Sequence, residues 1–242
     1  PIESHYEYVL LILESKYCPR VIFLEKPACQ NHSEFKKLVK VSNSNGVKIV
    51  VNHSRRFDNN HSNLKKQIKQ NSFGKLLKID GVYYGGWQHN GTHLVDTLQY
   101  LFDDELKIED LINEYDLPNE NDKNLDFKCK FKNNQAVVYL TTMNEFYYQL
   151  FEYDLKFENA RIRIEDFGHR ILFEKKIVNN MGENILMTSD YPINFNSISS
   201  PMQLAVRRIV GYLDKSYSID DVALENVYKT MKTIWSGKKW IT

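Results

Sequence analysis

The chain lacks the loop by which dinucleotide enzymes commonly hold phosphate. None of its ten glycines falls into a G-x-G-x-x-G pattern. Cysteine is scarce, with Cys18, Cys29 and Cys129 scattered and no C-x-x-C spacing. That excludes a disulfide framework and a cysteine zinc site, and it fits a reducing cytoplasm. Long apolar runs are missing too. The longest, Tyr8 to Leu13, is far short of a membrane span. No charged start leads into an apolar core, so no signal peptide is expected. There is little charge of one sign, the net value being +1 over 242 residues. The concentrated basic face of a nucleic-acid binder is absent, and the pairs Lys36-Lys37 and Lys65-Lys66 read as solvated helix faces. The sequence opens at Pro1 rather than methionine, which leads us to expect a piece of a longer protein.

What remains is 42% apolar and 26% charged, the balance of a globular protein with a real core. The first sixty residues read as α/β. Glu7 to Leu13 suits a helix packed on a sheet. Val21 to Leu24 is wholly apolar, as a parallel strand covered on both faces would be. Asn31 to Ser42 has helical spacing and Asn45-Gly46 closes it. Val47 to Val51 is a second buried strand. Helix, strand, helix, strand is the rhythm of a doubly wound sheet.

After Phe57 the texture changes. Asn63 to Gln70 predicts a polar helix ending near Gly74. In Phe151, Tyr153, Leu155 and Phe157, interleaved with Glu152, Asp154, Lys156 and Glu158, the alternation predicts a strand with one oily and one charged face. Further strands are expected at Leu76 to Tyr84, Leu125 to Phe131, Ala136 to Thr142, Arg161 to Glu165 and Ile171 to Val178, with a hairpin turn at Asn133-Asn134. The stretch from Asn113 to Asn124 reads as a polar, flexible loop. Ser200-Pro201-Met202-Gln203 opens one helix. Ser218 to Asp221 opens a last one, whose stripe is Ala223, Leu224, Val227, Tyr228, Met231 and Ile234 and which Gly237 ends. The expected fold class is α/β. Residues 1–57 are the C-terminal part of a Rossmann domain, and residues 58–242 an α+β domain with a large, open, mainly antiparallel sheet.

Two features carry chemistry. Lys26, in Glu25-Lys26-Pro27, follows the first strand, and the carboxyl ends of parallel strands face the ligand crevice in such sheets. Arg55 and Arg56 follow the second strand at the same edge, where they could hold phosphate or carboxylate or pair with acids between domains. The other feature is the helix beginning near His93. Leu94, Val95, Leu98, Leu101 and Phe102 fall on one side of a helical wheel. His93, Asp96 and Tyr100 fall on the other, joined by His89 if the helix reaches back that far. The polar row would face solvent, a cleft or another domain. A neutral imidazole at a helix amino terminus can serve as a base, with Asp96 placed to orient it. His89 and His93 also have the i, i+4 spacing of a metal pair. Asn90, though, stands where H-E-x-x-H has its glutamate, and no metal is expected.

At these residues the chain resembles the glucose–fructose oxidoreductase / inositol dehydrogenase family (Gfo/Idh/MocA). Pro1-Ile2-Glu3-Ser4-His5 is similar to its T-P-x-x-x-H loop without the threonine, and Glu25-Lys26-Pro27 to its E-K-P. Asn52-His53-Ser54-Arg55-Arg56-Phe57 resembles the segment after the last nucleotide-domain strand. Gly85-Gly86 through His93 and Asp96 resembles the G-G…H-x-x-D helix, and Arg161-Ile162-Arg163-Ile164 the G-x-I-x-I strand. The resemblance implies a Rossmann domain for NAD or NADP, followed by an open-sheet domain. It implies that Lys26 binds the reacting oxygen, that His93 moves the proton, and that hydride passes between nicotinamide and substrate. On the cofactor side it places His5, Glu25, Lys26 and Pro27. On the substrate side it places Arg55, His89, Asn90 and Asp96. Many members have aspartate where this chain has His89. The glycine loop and ribose-binding acid of the first Rossmann half have no counterpart here, so dinucleotide binding is expected to be impaired.

The expectation is therefore an NAD(P)-dependent oxidoreductase, in truncated form, acting on a sugar, cyclitol or sugar-nucleotide hydroxyl or ketone. It would be cytoplasmic, without nucleic-acid or membrane partners, and homo-oligomeric through the antiparallel sheet. The alternative is a non-catalytic fragment serving as a binding or oligomerisation module. A hydrolase built on a His89/His93 metal site is a third reading.

Overall fold

The computed structural model describes residues 4–117, 122–144, 147–189 and 200–240. Helix α1 (His5–Leu13), strand β1 (Val21–Leu24), helix α2 (His32–Ser44) and strand β2 (Lys48–Val51) form the first lobe. β1 and β2 pair in parallel, Val21 opposite Lys48 and Leu24 opposite Val51. The amino terminus of α2 is closed reciprocally. The Asn31 side chain accepts from the Glu34 amide, and the Glu34 carboxylate accepts from the Gln30 amide. Of the T-P-x-x-x-H resemblance, residues 1–3 lie outside the described residues.

The second lobe carries the sheet. Its members are β3 (Leu76–Tyr83), β4 (Leu106–Asp116), β5 (Lys123–Phe131), β6 (Val137–Thr142), β7 (Glu152–Phe157), β8 (Ala160–Glu165), β9 (Arg170–Val178) and β10 (Asn184–Thr188). The spatial order is β10-β9-β8-β7-β3-β6-β5-β4. Every neighbouring pair is antiparallel except the β3–β6 pair. Helices α3 (Asn59–Lys69) and α4 (Thr92–Phe102) precede and follow β3. α4 packs on one face of the sheet through Leu94, Val95, Leu98 and Leu101, against Ile79, Phe127, Leu140 and Leu155. The opposite face carries a charged ladder running Asp80, Lys156, Asp154, Arg161, Glu174. The alternation read in β7 is what separates the two faces: Tyr153, Leu155 and Phe157 are buried, while Glu152, Asp154 and Lys156 are partly exposed.

Three expectations need correction. β4 and β10 were not foreseen. β4 pairs with β5 through two register shifts, at Ile108/Asp110 and Leu111/Asn113, and each bulge resets the period-two alternation. β10 is exposed along its whole length, so burial leaves no alternation to read. The expected loop from Asn113 to Asn124 is largely strand. β4 runs to Asp116 and β5 starts at Lys123, and residues 118–121 lie outside the described residues. Last, the terminal helix does not open at Ser218. Two short 3-10 turns, Asp220–Val222 and Leu224–Val227, flank an extended Ala223, and α6 runs from Tyr228 to Lys238 with Gly237 inside it.

The tail, including α5 (Pro201–Leu213), returns to the first lobe. Leu224, Val227 and Met231 share a core with Val9, Leu24, Phe35 and Ile49, and Ala223 bridges to Val50 of β2. Ala205, Ile219 and Val222 bury Phe57 at the join.

Candidate active site

β1 ends at Leu24 and delivers Lys26 to its carboxyl edge. The Lys26–Pro27 peptide is cis. Two neighbours hold this turn. His5 Nδ1 donates to the Pro27 carbonyl at 2.9 Å, and Asn52, just past β2, donates to the Glu25 carboxylate at 2.6 Å. The Lys26 ammonium crosses to the second lobe and donates to the backbone carbonyl of His89 at 2.6 Å. Burial pulls that ammonium down to about 8, against the pull of Glu25 and Asp122. It is still the proton donor at neutral pH, but a weaker cation than a solvated lysine.

His89 lies in a π-helical turn, Gly86–Gly91, that leads into α4. α-Helical spacing stops at Thr92, so the i, i+4 relation read between His89 and His93 does not describe their geometry. The His89 side chain is exposed, whereas Asn90 is buried. The turn is held by two side chains that the sequence reading missed. Asp122 accepts from the amides of Gln88 (2.8 Å) and His89 (3.0 Å), and Asn124 accepts from the Gly86 amide (2.9 Å). Glycine is required at 86, where φ is +89° and a Cβ would stand 2.3 Å from Asp122 Oδ2. Asp122 thus holds the amide of the same residue, His89, whose carbonyl receives Lys26.

His93 occupies the first turn of α4, its ring centroid 6.4 Å from that of His53 and nearly perpendicular to it. Burial holds His93 well below the ordinary imidazole range, and the positive charges of Lys26 and Arg55 push the same way. His53 is 3% exposed, and burial drops it to about 4 despite nearby Asp96. Both rings are neutral at cellular pH and able to take a proton. His53 was not picked out as a site residue from sequence. Its signal is the one that marked Lys26, a titratable group just past the carboxyl end of a parallel strand.

Asp96 does not serve His93 as a hydrogen-bond partner. It is 1% exposed and accepts from Arg56 through Nε and Nη2, and from Thr230 Oγ1. Burial opposes its charge, yet Arg56 and then His53 bring it down to about 2. Of the openings left for the polar row of α4, the second lobe's packing against Arg56 and α6 is the one taken. Arg55 turns the other way. Its guanidinium lies 4.2 Å from the Phe151 ring centroid and donates to the Phe167 carbonyl at 2.9 Å. Among the described residues no group of three or more His, Cys, Asp or Glu is arranged to hold a metal, and no helix is long and apolar enough to cross a membrane.

No protein-family model and no curated protein matches the chain. Solved structures do. A super-repressor mutant of Gal80p from Saccharomyces cerevisiae is 16% identical, with a TM-score of 0.74 over 98% of this chain and 76% of that one. The dehydrogenase MviM from Clostridium difficile is 15% identical, with a TM-score of 0.70 over 100% and 77%. An NAD-binding protein from Listeria innocua is 18% identical, with a TM-score of 0.69 over 97% and 72%. At these identities the likeness is one of fold. The fold is that of the Gfo/Idh/MocA-type oxidoreductases, with the large, mostly antiparallel sheet of their C-terminal domain.

Proposed function

We propose that the chain carries the substrate-side machinery of an NAD(P)-dependent oxidoreductase that interconverts an alcohol and a ketone on a sugar, cyclitol or sugar nucleotide. The observation that carries this reading is the bond from Lys26 to the His89 carbonyl, which docks the ammonium at the head of the helix bearing His93. The charge of Lys26 lowers the proton affinity of His93, and burial lowers that of both, which agrees with one shared, poorly solvated site. Lys26 would donate to the reacting oxygen and favour its anionic form. Neutral His93 would accept the hydroxyl proton in oxidation and return it in reduction.

The fit to a nicotinamide is partial. Glu25, Lys26 and Pro27 form a turn at a strand's carboxyl edge, pinned by His5 of α1, where such a ring would rest, and a nicotinamide there would supply hydride acceptance. The chain's own residues offer no glycine loop for the pyrophosphate. Asn90 would meet the substrate's other hydroxyls, and Arg55 a further polar group of the substrate. The charged open face of the sheet would serve self-association.

Titration with NADH and NADPH, followed by fluorescence, tests the reading. A saturable change, at weaker affinity than a glycine loop would give and competed by a polyol or sugar substrate, is expected. No saturable response to either nucleotide, by fluorescence or calorimetry, would overturn it. The second reading, a non-catalytic module, draws on the missing glycine loop and on the fold shared with Gal80p, a transcriptional regulator. It predicts a stable oligomer that ignores both nucleotides.

A further inference from the structure

Beside the candidate site lies a second pocket of about 280 Å³, lined in part by Arg55, Asp58, His61, Phe167, Gly168 and His169. Two buried nitrogens in it have no partner, Arg55 Nε and His61 Nε2. They converge. The point where a Gly168 side chain would begin lies 3.6 Å from each of them. His61 is 1% exposed, and its other nitrogen is bonded to the Asp58 carboxylate at 2.5 Å. That bond fixes the ring and leaves Nε2 without a partner beside Gly168. Arg55 is held flat by Phe151 and by the Phe167 carbonyl, and no carboxylate of the described residues forms an ion pair with it. The carbonyl is presented by a strained turn, Asp166 and Phe167 both having positive φ (49° and 56°).

We infer that this pocket binds a carboxylate on the substrate, so that the substrate class is an acidic sugar such as a uronic acid. The inference rests on the oxidoreductase reading only for calling that ligand a substrate. The chemistry is one of charge balance. The groups facing the pocket are the Arg55 guanidinium, the His61 imidazole with its Asp58 partner, and His169. The Arg55 guanidinium, without a carboxylate partner among the described residues, supplies the charge and the donors that a ligand carboxylate needs, with the Asp58-held His61 ring seated beside it. An uncharged hydroxyl would leave the guanidinium without a counter-charge in a partly desolvated place. The charge of Arg55 also acts on both Lys26 and His93.

Calorimetry on the full chain with D-glucuronate, D-galacturonate and their methyl esters tests the inference, since the ester keeps every hydroxyl and loses the charge. Roughly tenfold or tighter binding of an acid over its ester is expected. His61→Gln and Arg55→Gln should each erase that preference while circular dichroism stays unchanged. Equal binding of acid and ester, or no binding of any uronate at millimolar concentration, would overturn the proposal and leave the oxidoreductase reading intact. A preference for the acid without hydride transfer to it from NADH or NADPH would uphold the carboxylate pocket and count against the oxidoreductase reading.

Discussion

Arg56 and Asp96 form a two-pronged ion pair across the join between the lobes, with Nε to Oδ2 at 2.9 Å and Nη2 to Oδ1 at 2.8 Å. Thr230 supplies a third donor and the Asp221 carbonyl a further acceptor for the guanidinium. Removing one partner strands the other as a buried charge. Asp96→Ala should therefore cost about 3–5 kcal/mol in urea unfolding. The double change Arg56→Met with Asp96→Leu should recover much of that loss. A single-variant cost below about 1 kcal/mol would show that the pair does not hold the join.

Stability should fall in two stages with acid. His53 sits near 4 against 6.5, and His93 is lowered in the same direction. The unfolded chain therefore takes up these protons first. The stability they represent is complete above 6.5 and erodes as pH falls toward the folded value. Asp96, near 2 against 3.8, adds a second loss between those values, on the order of 2 kcal/mol. Urea midpoints measured from pH ~7 to ~3 should decline throughout. A midpoint that stays flat down to pH ~4 would contradict the buried neutral histidines.

Turnover should depend on Lys26 and His93. In a form joined to a glycine-loop half that binds the dinucleotide, replacing either with alanine should lower turnover by roughly a hundredfold or more. The wild-type rate should fall as pH rises through about 8, where Lys26 loses its proton. In Lys26→Arg that fall should move to higher pH, because guanidinium keeps its proton. A wild-type profile flat through this range would remove the ammonium from the chemistry.

The same lysine should carry a stability cost. Its affinity for a proton is lower in the folded chain, so the charge opposes folding at neutral pH. Lys26→Met should raise the Tm even as it abolishes turnover. A lowered Tm would mark Lys26 as a structural strut.

Gly237 touches Trp87 so closely that a Cβ would stand 2.3 Å from the indole Nε1, which donates to the Ile234 carbonyl at 3.1 Å. Gly237→Ala should cost about 1–3 kcal/mol and alter Trp87 fluorescence. A neutral variant with unchanged emission would mean that α6 can slide.

Much of the fold was legible because the burial patterns are simple. Val21 to Leu24 and Val47 to Val51 are covered on both faces and read as apolar runs. Strand β7 is covered on one face and reads as alternation. Bulges hid β4, exposure hid β10, and the extended Ala223 hid the true start of α6. The places of Lys26, past a strand end, and of His93, at a helix start, were legible in the sequence. Asp122 was not, since its job is to hold backbone amides some thirty residues away. The pairing of Arg56 with Asp96 rather than Asp96 with His93 is a tertiary fact. A helical wheel can say that Asp96 and His93 share a side, but not which neighbour claims the carboxylate.

The return of the tail to the first lobe has a consequence for biogenesis. Val9, Leu24 and Ile49 leave the ribosome well before the side chains that complete their core, Leu224 to Met231. Until those arrive, the helices and strands of the first lobe must wait with oily surface uncovered, while the eight-stranded sheet can already assemble. Chaperone engagement should therefore concentrate on the first-lobe stretch of the nascent polypeptide.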